Sequence, residues 1–150
     1  MKTDLPKAAG TYILCLRLKN TTQIQIGKLG VFDFKKGFYF YVGSAFGPGG
    51  IQARCNHHIK ISDKPRWHID YLRKHCVLQH IIYNDEAHHL EHQWASMTSA
   101  IDSIETPVAG FGSSDCTCQS HLFFSHADAI DNILSTKKYH FKLLKAPGIS

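Results

Sequence analysis

From Gly37 to Arg54 the chain reads Gly-Phe-Tyr-Phe-Tyr-Val-Gly-Ser-Ala-Phe-Gly-Pro-Gly-Gly-Ile-Gln-Ala-Arg, and this stretch constrains the fold more than any other. Phe38 to Val42 is an unbroken run of aromatic and β-branched residues and predicts a strand. Gly47, Pro48, Gly49 and Gly50 then make a turn in which neither helix nor strand persists. Ile51, Cys55 and Ile59 recur every four residues, which predicts a short amphipathic helix. Arg54 and His58 are also four apart and share one flank of it. Strand, glycine-rich turn and cation-bearing helix make a place where backbone N–H groups and a guanidinium can converge on an anion. Gly43, Ser44, Gly49 and Gly50 are the candidate anion contacts. Alone the pattern is weak, because most glycine-rich strand-to-helix turns hold no phosphate.

The rest of the chain supports a sheet with helices around it. Thr11 to Leu18 is apolar on both alternating faces until Arg17 and predicts a central strand. Thr22 to Gly27 predicts a more polar strand, paired with the first as a hairpin across Lys19-Asn-Thr21. Ser62 to Pro65 reads as a helix start, with Trp67 to His75 as the helix and Ile69, Leu72 and Cys76 facing the core. Val77 to Tyr83 predicts another strand. In Glu86 to Ile101 the residues Ala87, Leu90, Trp94, Met97 and Ile101 form one apolar stripe and predict a long helix. Leu122 to Phe124 reads as a short strand, Ala127 to Leu134 as a helix capped by Ser125, and Tyr139 to Leu144 as an edge strand.

The 150 residues, 43% hydrophobic, suit one folded domain that buries roughly 70% of its unfolded surface. A net charge of +5, with eleven histidines in reserve, favours a polyanionic partner. No apolar run approaches the ~20 residues that span a bilayer, which argues against a membrane partner. Five cysteines without a secretory signature read as reduced thiols, and the expectation is a cytoplasmic protein.

Gly10-Thr-Tyr12 opens the first strand, Tyr41-Val-Gly43 closes the long aromatic one, and Arg54 follows Gly43 by eleven residues. Glu91 stands on a later helix. Over roughly residues 10 to 101 this resembles the GIY-YIG nuclease family. Longer strings are more specific: Tyr41 to Gly50, Trp67-His-Ile-Asp-Tyr-Leu72, and Gly110-Phe-Gly-Ser-Ser-Asp-Cys-Thr-Cys118. They resemble a small branch of that family, some of whose members are fused to endonuclease III-type glycosylases. The resemblance implies an α+β fold, a small central antiparallel sheet flanked by helices, with a core at about 10–101 and a C-terminal extension at about 102–150. It implies a metal-dependent endonuclease hydrolysing phosphodiester bonds, on DNA in preference to RNA, with a place in repair. Tyr12 or Tyr41 would be the general base as phenolate, Arg54 the phosphate clamp, His58 its neighbour, and Glu91 the ligand to Mg2+ or Mn2+. An asparagine that the family carries beyond the glutamate has no counterpart after Glu91.

Each of these residues also has an ordinary reading. Tyr12 and Tyr41 can be core aromatics with satisfied hydroxyls. A phenol of pKa near 10 is a poor base unless a cation such as Arg54 or Lys28 stabilises its anion. Arg54 can be a solvated helix residue and Glu91 a boundary carboxylate, while Glu86 is the competing acid explained by a helix start. Cys116, Cys118 and His121 make a C-x-C-x-x-H string that can bind zinc, but packing is favoured because no fourth ligand is evident. His68 and Asp70 read as helix packing and capping, and His88 and His92 as solvent-facing. Two rivals to a nuclease stand beside it: a non-catalytic nucleic-acid-binding module, and a zinc-stabilised interaction domain.

Overall fold

The computed structural model describes residues 5–112, 120–136 and 138–145. In chain order its elements are β1 (Gly10–Leu18), β2 (Thr22–Ile26), β3 (Gly30–Phe34), β4 (Gly37–Ala45), α1 (Gly50–Ile59), α2 (His68–Arg73), β5 (Val77–Asn84), α3 (Glu91–Ser99), β6 (Leu122–Ser125), α4 (Ile130–Leu134) and β7 (Lys142–Lys145). The fold is α+β. Its central sheet has five antiparallel strands in the order β6-β4-β1-β5-β7, and β2 and β3 form a separate two-stranded sheet.

β1 is central because it is apolar on both faces: every residue but Arg17 is buried. Tyr12, Leu14 and Leu16 point to one side, where they pack with Tyr39, Ile51, Cys55, Ile69 and Leu72. Ile13 and Cys15 point to the other and pack with Phe40, Val42, Trp94 and Ile133. One face is thus covered by α1, α2 and the small sheet, the other by α3 and α4. Removing each such side chain from water contributes about 1.5–3 kcal/mol. The C-terminal residues are integral to the sheet, since β6 lies against β4 and β7 against β5, one at each edge. Among the described residues no helix is long and apolar enough to cross a membrane.

Several local expectations are corrected. β2 does not form a hairpin with β1. Both edges of β1 are taken by β4 and β5, so the short β2, with Gln23 and Gln25 exposed, pairs with β3 instead. The helix expected over Trp67 to His75 forms as α2 with Trp67 at its N-cap, but Ser62 to Pro65 is not its start, because the Ser62 hydroxyl closes a local turn with Lys64 and Asp70 caps the helix from within. α3 begins at Glu91 and not at Glu86. The Asn84 side chain accepts from the Glu86 N–H, a turn that competes with helix, and Ala87 is exposed. α4 begins at Ile130 with Ala129 at its N-cap, and the Asp128 carboxylate just before it accepts from the Ile130 N–H; Ser125, buried at the end of β6, is not its cap.

Candidate functional site

Tyr12 and Tyr41 project from neighbouring strands to the same side of the sheet, and α1 lays His58 against them. The Tyr12 hydroxyl lies 2.7 Å from His58 Nε2, both groups fully buried. Among the described residues His58 Nδ1 has no hydrogen-bond partner. Burial drives the His58 pKa down to about 3, assisted by His57, Arg54 and Arg73 and opposed by Asp70, so the ring is neutral. Burial also pushes the Tyr12 phenol well above its usual value, and the neighbouring Tyr41 adds to the rise.

Tyr41 stands at the boundary between this core and solvent. It lines a cavity of about 330 Å³ with Ser44 from β4, Arg54 from α1, Arg66, Trp67 and His68 around the start of α2, and Glu91 and His92 from the start of α3. His121 and Gly112 complete the wall. Arg54 and Glu91, which the sequence pairs only by resemblance, therefore share one cavity with Tyr41, and Tyr12 lies behind them in the core. Burial raises the Tyr41 pKa; the Glu91 charge raises it further and Arg54 draws it back. Glu91 Oε2 lies 3.7 Å from Nδ1 of buried His121, which also faces the Val42 carbonyl at 3.2 Å. Because α3 starts at Glu91, this carboxylate sits in the first helical turn, where the helix dipole favours it.

The glycine-rich turn plays a different part from the one its sequence suggests. The first N–H groups of α1 are already bound: Gly50 to Gly47 O, Ile51 to Ala8 O at 2.9 Å, Gln52 to Pro6 O at 2.8 Å, and Ala53 to Gly49 O. Leu5 is buried in the core beside them, so the arm ahead of β1 occupies the helix N-terminus that an anion would need. Gly49 and Gly50, with φ of 82° and 55°, are required by backbone conformation, and a Cβ on Gly50 would strike the Lys7 and Ala8 carbonyls. Neither lines the cavity, and nor does Gly43; Ser44 does. Lys28 is exposed in the β2–β3 turn and lies outside the cavity wall, because that small sheet packs on α2.

Sequence reasoning passes over the segment before α2. Arg66 and Arg54 each set a guanidinium over the Trp67 ring, at 4.9 and 4.4 Å from its centroid. Asp70 fixes the segment by accepting from the Arg66 and Trp67 N–H groups at 2.9 and 3.1 Å. His68 Nδ1 accepts from the Gly112 N–H. His92, expected in solvent, is exposed but lines the cavity. The usable signal was Asp70, three residues after Trp67, which marks a cap and so places the preceding arginine beside the new helix.

Among the described residues two places could hold a metal. Glu91 offers hard oxygens on a quarter-exposed side chain beside a volume with room for retained waters, which fits Mg2+ or Mn2+. His57, His58 and Asp70 bring one ligand atom each within 4.8 Å of one another, although Asp70 Oδ1 is already bonded to His57 Nε2 at 2.9 Å. Of the proposed zinc string, Cys116 and Cys118 lie outside the described residues, and His121 is engaged with strand β4. A second cavity of about 290 Å³ lies beside Lys19 and Arg73, where the Arg73 guanidinium is spent on the carbonyls of His58, Ile59 and Cys76.

Fold and site together define an α+β domain whose central antiparallel sheet carries a cavity lined by two arginines, histidines and a carboxylate. Residues 11–142 match the family described as domain of unknown function DUF123, and the chain belongs to that family. No curated protein and no solved structure matches it.

Proposed function

We propose that this domain is a metal-dependent endonuclease, a phosphodiesterase that hydrolyses backbone linkages of nucleic acid, DNA in preference to RNA, with a role in repair. The supporting observation is that Tyr41, Ser44, Arg54 and Glu91, from three separate elements, line one cavity. Arg54 grips a phosphate oxygen and stabilises the charge that builds up as the bond breaks. The Tyr41 hydroxyl orients the attacking water, with Tyr12 and His58 packed behind it. Glu91 is the residue that would hold Mg2+ or Mn2+; such an ion polarises the phosphate and offsets the carboxylate charge that raises the Tyr41 pKa. The net charge of +5 draws a polyanion, and the buried, unpaired Cys15, Cys55 and Cys76 suit a reducing, cytoplasmic setting.

Two observations favour a second reading, a binding module without catalysis. Burial holds both phenols above their usual pKa, and the Glu91 carboxylate is accounted for by its place in a first helical turn. Incubating the protein with linear and branched DNA and RNA in Mg2+, Mn2+ or chelator separates the two. The endonuclease reading expects metal-dependent nicking that chelator abolishes. Binding without cleavage on every substrate would hand the case to the module.

A further inference from the structure

Trp67 carries two positive charges. The Arg54 guanidinium reaches it from α1, and that of Arg66 from the exposed segment before α2. Both arginines line the cavity that holds Tyr41 and Glu91. Among the described residues neither guanidinium is ion-paired with a carboxylate. Two like charges on one ring repel each other, and the cation–π attraction that holds each is modest at a solvated site. Their backbone supports cannot drift apart. Arg66 and Trp67 are tied through their N–H groups to Asp70, and Asp70 is tied to His57, three residues after Arg54 on α1.

We propose that Arg66 forms a second phosphate subsite beside the one at Arg54, so that the pair binds two successive phosphates of a polynucleotide backbone. The role of Arg54 here rests on the phosphodiesterase reading; the subsite at Arg66 goes beyond it by naming the substrate as a strand and not an isolated phosphodiester. A single diester brings one negative charge and leaves one guanidinium unmatched, whereas a strand matches both. Guanidinium suits this task because its planar donors meet phosphate oxygens two at a time. Trp67, engaged by two cations, is not an open stacking face, so the subsite reads backbone and not base.

The test is a binding measurement on the full chain in chelator, where nothing is cut. Fluorescence anisotropy follows two labelled 12-nucleotide DNA single strands of unrelated sequence from 50 to 200 mM potassium chloride. Arg66→Gln should lower the slope of log affinity against log salt by about 0.7, and weaken both strands equally, by roughly threefold or more. Arg66→Lys should restore the slope. In the Arg54→Gln/Arg66→Gln double variant the slope should fall by about 1.4, because each arginine holds its own phosphate. Arg66 is exposed, and circular dichroism will verify that its variants keep the fold. The proposal is overturned if the parent binds neither strand, if Arg66→Gln keeps the parent's slope, or if the double variant loses no more than Arg54→Gln alone. Its failure is separable from that of the endonuclease reading. Metal-dependent nicking with no dependence on Arg66 removes the subsite alone, and an Arg66-dependent slope without nicking in any metal removes the nuclease alone.

Discussion

In the β1–β4 register Tyr12 stands opposite Gly43, and its ring fills the volume into which a Cβ at position 43 would project. The two residues that mark the paired triplets at the start of β1 and the end of β4 are therefore one packing unit. With glycine at 43, the Tyr12 ring can lie flat across β4 and bring its hydroxyl to His58.

Gly43→Ala should consequently act through Tyr12. The added methyl must displace the ring and break the Tyr12–His58 hydrogen bond, at a cost of about 1–3 kcal/mol. Urea denaturation measures it. An alanine variant as stable as the parent would show that the ring relaxes without loss.

Glu91→Gln keeps size and removes charge. On the proposed function it should lower cleavage by ~100-fold or more, the scale of losing one such group, and leave binding in chelator nearly unchanged. Equal cleavage rates in Mg2+ for a folded Glu91→Gln protein would remove Glu91 from the chemistry.

The pH dependence of stability should carry a mark of His58. Its folded pKa, about 3, lies below the unfolded value near 6.5. The folded state therefore binds fewer protons than the unfolded chain between these values. The contribution is fully present above pH 6.5 and is lost as pH falls towards 3, at about 1.4 kcal/mol per pH unit. Asp70, His57, Arg54 and Arg73 face the ring and are retained in His58→Gln, which should flatten the acid limb of a denaturation series. An unchanged limb would assign the acid sensitivity elsewhere.

If a phenolate is the base, the rate should climb through alkaline pH. Tyr12 and Tyr41 both have raised pKa values, so the reactive form is scarce at neutral pH and grows tenfold per unit. A cleavage rate in Mg2+ that is flat from pH 7 to 9 would exclude the phenolate, leaving Tyr41 to position water only.

Asp70→Asn should loosen the wall that carries Arg66. It weakens the acceptor for the Arg66 and Trp67 N–H groups and removes the charge paired with His57, at a cost of about 1–3 kcal/mol. Thermal denaturation reads this. Stability equal to the parent would mean that the asparagine caps α2 as well as aspartate does.

The strands at the centre of the sheet were legible because their side chains reveal their surroundings: β1 is apolar on both faces, and β4 and β5 are long enough to flank it. The partner of β2 was not legible. A short loop after β1 suggests a hairpin, and nothing local shows that both edges of β1 are already filled by residues 37–45 and 77–84. The apolar stripe of α3 ran on through Ala87 and Leu90 into a turn held by Asn84, a hydrogen bond to which periodicity is blind. At the site, Arg54 was singled out by its place on the helix after the glycine-rich turn, whereas Glu91 and its pairing with Arg54 were found through resemblance, not from spacing. The Gly47–Gly50 turn looked ready for an anion because nothing local signals that the Pro6 and Ala8 carbonyls take the N–H groups of Gln52 and Ile51 just after it. Arg66 was missed because Trp67-His-Ile-Asp70 reads equally well as helix packing.

The position of β6 and β7 in the chain has a consequence for biosynthesis. The ribosome delivers β1, β4 and β5 first, and residues 122–145, which close the two edges of that sheet, several seconds later at ~5–20 residues per second. During that interval the nascent chain presents two open strand edges, that of β4 with its aromatic run and that of β5 with Ile81 and Ile82, as templates for neighbouring chains. Misassembly on crowded polysomes is therefore this fold's point of exposure, and mutations that weaken β6 or β7 should first appear as insoluble protein, before any change in the site.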